Sequence, residues 1–120
     1  MITHVVVMKP RADLSARDRE LLVGAFERAM REIPAVRAVR VGRRVTHGAQ
    51  YEQGAPDVAD FLILIDFDDL AGLQTYLRHP AHEAVAAHFQ RLVESGWVYD
   101  FETAEAVRLR EFAGLGGEGH

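Results

Sequence analysis

A chain of 120 residues, 48% of them apolar, has enough material for one packed core and too little for two. It contains no cysteine, which excludes disulfides, thiolate metal sites and thiol nucleophiles. A formal net charge of -4 argues against general nucleic-acid binding, although Arg37, Arg40, Arg43 and Arg44 crowd one segment.

Ile2 to Lys9 is rich in β-branched residues and is broken by Lys9-Pro10-Arg11-Ala12-Asp13, which reads as a strand followed by a turn. Ser15, with Asp18 three residues on, opens a helix whose apolar stripe is Leu22, Phe26, Ala29, Met30 and Ile33, and Pro34 ends it. Val36 to Thr46 reads as a second strand, with Val39, Val41 and Val45 on one face and arginines on both, a pattern that suits a sheet edge. Residues 47–58, with Gly48, Gly54 and Pro56, form a polar connection expected to be mobile. The third strand is residues 59–67, where Phe61, Ile63, Ile65 and Phe67 alternate with Leu62 and Leu64. Helices cover only one face of such a sheet, so a strand that is apolar on both sides needs a second cover, which a partner subunit would supply.

Asp68 or Asp69 caps a short helix that runs to Arg78, and a second helix runs from Pro80 to about Glu94, with Ser95-Gly96 expected to close it. Trp97 to Thr103 reads as the last strand. Strand, helix, strand, strand, helix, strand is the ferredoxin-like unit of the α+β class. A single domain is expected over residues 1–112, including an arm from Ala104, followed by a flexible Gly-rich tail at 113–120. No apolar run approaches the length that spans a bilayer, and the residues before Met8 are too few for a signal peptide, so a cytoplasmic protein without membrane contact is expected.

The joint between the two short helices holds the most chemistry. In Thr75-Tyr76-Leu77-Arg78-His79-Pro80-Ala81-His82, Pro80 lacks an amide hydrogen and suits the first position of a helix, while His79 before it is driven out of helical geometry. His82 lies one turn ahead of Val85 and Ala86 on the apolar face that continues through Phe89 and Leu92, so it points inward. Tyr76 shares the buried phase of Leu70, Leu73 and Leu77. A histidine there is either a core residue bonded to a carbonyl or a base held neutral by the helix amino terminus. Tyr76 is either an amphipathic core ring or a hydroxyl donor to a developing enolate oxygen.

Along the chain, His79-Pro80-Ala81-His82 with Tyr76 three residues ahead, the opening Thr3-His4-Val5-Val6-Val7-Met8-Lys9, Ile33-Pro34-Ala35-Val36 before Val41-Gly42, and Val98-Tyr99-Asp100-Phe101 together resemble the stress-responsive A/B barrel (Dabb) family over about residues 1 to 103. The resemblance implies a ferredoxin-like monomer that pairs into a dimeric α+β barrel. It also brings in His4, which matches the family's opening histidine on a sheet face that periodicity leaves open. Plant polyketide cyclases in the family imply a cofactor-free acid/base reaction on a carbonyl-rich substrate in a small apolar pocket. His82 would be the base, Tyr76 the enolate-oxygen donor, and His4 a polarising or orienting group. The alternative is a non-catalytic stress-responsive or ligand-binding dimer whose histidines are structural.

Other signals are weaker. His79 and His82 are spaced i, i+3, but a helix-start role explains His79, so no metal is expected. Asp66, Asp68 and Asp69 fit a strand end and helix cap better than a magnesium site. Asp100 could orient an imidazole, with a strand-end salt bridge the more ordinary role. RNA-binding modules of this fold stack bases on exposed sheet aromatics, and the first and third strands carry aliphatics there, so no nucleic-acid partner is expected.

Overall fold

The computed structural model describes residues 1–115. Its elements are β1 (Ile2–Pro10), α1 (Ala16–Glu32), β2 (Ala38–Arg43), β3 (Phe61–Phe67), α2 (Leu70–Arg78), α3 (Pro80–Leu92), β4 (Val93–Glu102) and a final turn of helix, α4 (Leu109–Phe112). The strands form one antiparallel sheet in the order β2-β3-β1-β4, and α1, α2 and α3 lie on one side of it. This is the ferredoxin-like α+β arrangement.

The three helices that pack on the sheet, α1, α2 and α3, each start where the sequence supplies an acceptor for the orphan amides of the first turn. Ser15 Oγ accepts from the Asp18 amide at 3.1 Å, and Asp69 Oδ1 accepts from the Gly72 amide at 2.9 Å. At α3 the acceptor is an imidazole: His79 Nδ1 takes the Ala81 amide at 3.0 Å, and Pro80 occupies the first helical position, where it has no hydrogen to leave unpaired. His79 is therefore a helix cap, which is why the chain bends between α2 and α3.

Strand alternation sorts the sheet into two unlike faces. Toward the helices point Ile65 and Phe67, which join Ala29, Ile33, Leu73, Tyr76 and Ala81 in a buried cluster. His4 points the same way and is buried, settling its face. The opposite face carries no helix and presents Trp97, Tyr99 and Phe101 of the edge strand β4, each about half exposed. The aliphatics at Leu62 and Leu64 lie on that open face beside them, as the double-sided pattern of β3 requires.

Two expectations change, and two segments gain detail. β2 is shorter than 36–46, because its ladder to β3 runs only from Ala38 opposite Asp66 to Arg43 opposite Phe61. Ser95-Gly96 does not close α3: the helix ends at Leu92, and Val93 opens β4 directly. Gly96 instead pairs with Met8 inside the sheet and makes room for a neighbour, since a Cβ there would lie 2.4 Å from Phe89 Cζ. Within the connection expected to be mobile, a short 3₁₀ turn at Gln50–Gly54 brings Glu52 back to accept from the His47 and Gly48 amides at 2.9 and 2.8 Å. The arm after Thr103 contains a 3₁₀ turn, Ala106–Arg108, and α4. Of the expected 113–120 tail, Ala113 to Leu115 close α4 with a left-handed Gly114, and the rest lies outside the described residues.

Candidate active site

The fold brings His4, Tyr76 and His82 together, although they come from β1, α2 and α3. Tyr76 is the hub: its ring centroid is 4.6 Å from that of His82, 5.7 Å from that of His4 and 5.2 Å from that of Phe67. The bend at His79-Pro80 creates the first of these contacts, because it swings the start of α3 back over the end of α2. The second depends on the β1 alternation that turns His4 toward the helices.

Both histidines are oriented by their Nδ1 atoms. His82 Nδ1 donates to the Leu77 carbonyl at 3.2 Å, an end-of-helix oxygen that α2 leaves unpaired. His4 Nδ1 donates to Asp100 Oδ1 at 2.6 Å, a contact set by the β1–β4 register, which places His4 opposite Asp100. A carbonyl and a carboxylate can only accept, so Nδ1 bears a hydrogen in both rings, and wherever a ring is neutral its lone pair is on Nε2. Asp100 thus pairs with an imidazole, and among the described residues it makes no ion pair with a lysine or arginine.

Environment sets the protonation states. Burial lowers the His82 pKa below the ordinary 6.5; the Leu77 carbonyl opposes this, charge on His4 reinforces it, and Glu83 opposes it last. The direction matches the neutral base expected from the sequence, but desolvation rather than the helix terminus is the leading cause. Burial pushes the Tyr76 phenol up to about 12, so it keeps its hydrogen at neutral pH. A neutral imidazole beside a buried phenol can accept a proton from a carbon acid while the phenol stabilises the oxygen that gains charge.

Among the described residues, no group of three or more His, Asp or Glu side chains has the arrangement to hold a metal ion. Asp66 accepts from the Thr3 hydroxyl at 2.7 Å, Asp68 pairs with Arg37 and Asp69 caps α2, so the three acidic residues are each separately engaged. Also among the described residues, no helix is long and apolar enough to cross a membrane.

Of two cavities in the molecule, neither is lined by the three rings. One, of about 590 Å³, opens between α1, α3 and the sheet and is lined by Leu22, Phe26, Ile63, Val85 and Phe89. Val85 stands one turn beyond His82 on α3, which makes this cavity the neighbour of the rings along the helix–sheet seam. The other, of about 460 Å³, lies under the 44–60 loop and is lined by Val7, Gly42, Leu62, Tyr51 and Pro56 among others.

The sequence pointed to all three rings and to Asp100 as a group able to orient an imidazole, but not to which imidazole, and not to the Leu77 carbonyl. The Asp100 contact depends on strand register, and the Leu77 carbonyl is reached only because the helix breaks at His79; the local signal for the latter is the His-Pro pair itself.

Comparison with known families gives a match to the stress responsive A/B barrel domain over residues 2–103. Among solved structures, a protein of Arabidopsis thaliana is 20% identical, covers 88% of this chain and 98% of its own, and superposes with a TM-score of 0.71. A dimeric ferredoxin-like protein of unknown function from Thermobifida fusca is 20% identical, with 85% and 90% coverage and a TM-score of 0.65. A hydroxynitrile lyase from Passiflora edulis is 14% identical, with 88% and 94% coverage and a TM-score of 0.73. Comparison with curated proteins returns no match.

Proposed function

Since the chain belongs to the stress responsive A/B barrel (Dabb) family, we propose that it acts as a homodimeric, cofactor-independent acid/base catalyst on a small carbonyl compound. The observation that carries this reading is the convergence of His4, Tyr76 and His82, with both imidazoles tied at Nδ1, which leaves Nε2 as the nitrogen for proton transfer. His82 Nε2 takes a proton from carbon next to a carbonyl, the electron pair moves onto the carbonyl oxygen, and the Tyr76 hydroxyl donates to that oxygen as it becomes an enolate. The enolate carbon then attacks a second carbonyl of the same molecule, and the protonated His82 returns its proton to the new alkoxide. His4, held by Asp100 with its ring 5.7 Å from that of Tyr76, orients or polarises the bound carbonyl. Such a sequence is an aldol-type cyclisation of a polyketide-like chain and needs no group beyond these side chains.

Support for the dimer comes from the apolar open face of the sheet and from the dimeric assembly described for a structural neighbour. Support for the apolar substrate comes from the cavity that continues the seam past Val85. The Passiflora edulis neighbour shows only that this fold accommodates a lyase, and it motivates testing cyanohydrin cleavage beside cyclisation.

One observation favours a non-catalytic ligand-binding dimer: the side chains lining the two cavities do not include the three rings. The two readings separate by assay. Wild-type protein, His82→Ala and Tyr76→Phe are incubated with a linear poly-β-ketone and, separately, with an aromatic cyanohydrin. Turnover that falls about 100-fold or more in folded His82→Ala, and less in Tyr76→Phe, is the expected result. Turnover untouched by His82→Ala, or none with either substrate class despite binding in the seam cavity, favours the ligand-binding dimer.

A further inference from the structure

The open face of the sheet is complementary to itself. Its edge strand β4 carries Trp97, Tyr99 and Phe101, with neighbouring ring centroids 6.2 Å apart. The strand registers set these rings in the same cross-sheet rows as Gly42, Arg40 and Ala38 of the opposite edge, β2. One edge is a ladder of large aromatic rings; the other offers two small residues and an arginine.

Two copies packed open face to open face have two simple ways to meet. A two-fold axis across the strands would set β4 on β4, large rings against large rings, and leave the small residues of β2 facing one another over a gap. An axis along the strands sets β4 of each copy on β2 of the other and keeps the rows in step, in the aligned sheet packing whose strands cross at about 30° or less. Trp97 then meets Gly42, Tyr99 meets the Arg40 guanidinium, and Phe101 meets Ala38. Large faces small at both ends, and a cation faces an aromatic ring in the middle. The directions of β2 and β4 are also antiparallel in this arrangement, as closure of the two sheets into a barrel requires.

Gly42 supplies an independent sign. Glycine weakens a strand interior, and it persists where another group must come close to the backbone. Within this chain nothing demands it: a Cβ at position 42 would meet only Leu62 Cβ, at 4.0 Å, and its backbone is not in the left-handed region. Beside Gly42 lies the cavity of about 460 Å³ under the 44–60 loop, whose floor is the same row, Gly42, Leu62 and Val7. Trp97 stands at the far end of that row, 49% exposed.

We propose that the cavity beside Gly42 is the socket for Trp97 of a second copy, and that the 44–60 loop, held by Glu52, forms the socket wall. This rests on the homodimer reading and specifies its geometry: each subunit contributes one indole and one socket, and the two contacts are related by the two-fold axis.

Trp97 is the only tryptophan of the chain, so its fluorescence reports the contact directly. Sedimentation fixes the oligomeric state, and emission with acrylamide quenching is read on the same samples across a dilution series. A dimer with blue-shifted, quench-protected emission that reddens on dissociation is expected. Gly42→Leu, whose Cβ meets nothing nearer than Leu62 Cβ at 4.0 Å, should keep the far-UV spectrum, weaken dimerisation about ten-fold or more and expose the indole. Trp97→Ala should weaken it comparably, and the smaller Gly42→Ala serves if the leucine variant misfolds. A dimer whose tryptophan is freely quenched, or whose affinity is unchanged by substitution at both Gly42 and Trp97, overturns the socket and leaves the dimer standing. A monomer at all concentrations overturns both.

Discussion

His4 Nδ1 and Asp100 Oδ1 lie 2.6 Å apart across a separation of 96 residues, joining the first strand to the last inside the candidate site. The imidazole side of this pair is almost wholly buried, with a side-chain exposure of 5%, whereas the carboxylate is at 42% and keeps contact with solvent. The contact therefore orients a ring in the interior from a position at its edge.

Asp100→Ala removes the acceptor and leaves a buried imidazole hydrogen without a protein partner. A loss of roughly 1–3 kcal/mol is expected from the unsatisfied donor, reduced where water enters from the exposed side. Urea unfolding with an unchanged m-value measures it. An unaltered midpoint would mean that the pair contributes nothing to stability, and that Asp100 matters only for ring orientation.

Acid stability carries the signature of His82. Its pKa lies below the ordinary 6.5 in the folded chain, chiefly through burial. Between the lowered and the ordinary value the unfolded chain binds more protons, so stability rises with pH there. The contribution is fully present above 6.5 and is lost as pH falls through the lowered value. His82→Asn should flatten that part of the stability–pH curve, as read from denaturation midpoints on either side of the ordinary histidine value. An equally steep curve in the variant would assign the dependence to other groups.

Gly96→Ala tests the seam between α3 and β4. The added methyl would meet Phe89 at 2.4 Å, so the ring must turn toward the cavity that it lines or the helix must lift. A destabilisation of about 1–3 kcal/mol is expected, the range for overpacking. Gly96→Ala combined with Phe89→Leu should recover part of it, and thermal melts of the two variants decide. Equal losses in both would place the strain in the strand backbone instead.

The parts of this fold legible in the sequence were those with local signals. β3 declared itself by alternation on both faces, α1 by Ser15 and its stripe, and the α2–α3 joint by His79-Pro80. The inward phase of Tyr76 and His82 followed from helical spacing alone, and the structure places their rings in contact. What escaped depended on distant partners. Ser95-Gly96 looks like a helix terminator until its strand pairing with Lys9 and Met8 is known, and Glu52 gives no local sign that it will fold the 47–58 loop around its carboxylate. Asp100 could be read as able to orient an imidazole, but that the imidazole is His4 is a matter of register, which no periodicity fixes.

The acid/base reading depends above all on which nitrogen of His82 bears the hydrogen. Long-range proton–nitrogen NMR of histidine-labelled protein near neutral pH reads this without any substrate. The Leu77 contact requires Nδ1 protonated and Nε2 carrying the lone pair, and Tyr76→Phe should shift the His82 resonances because the rings lie 4.6 Å apart. A neutral His82 with its hydrogen on Nε2, or an imidazolium at that pH, would contradict the assignment of His82 as the base.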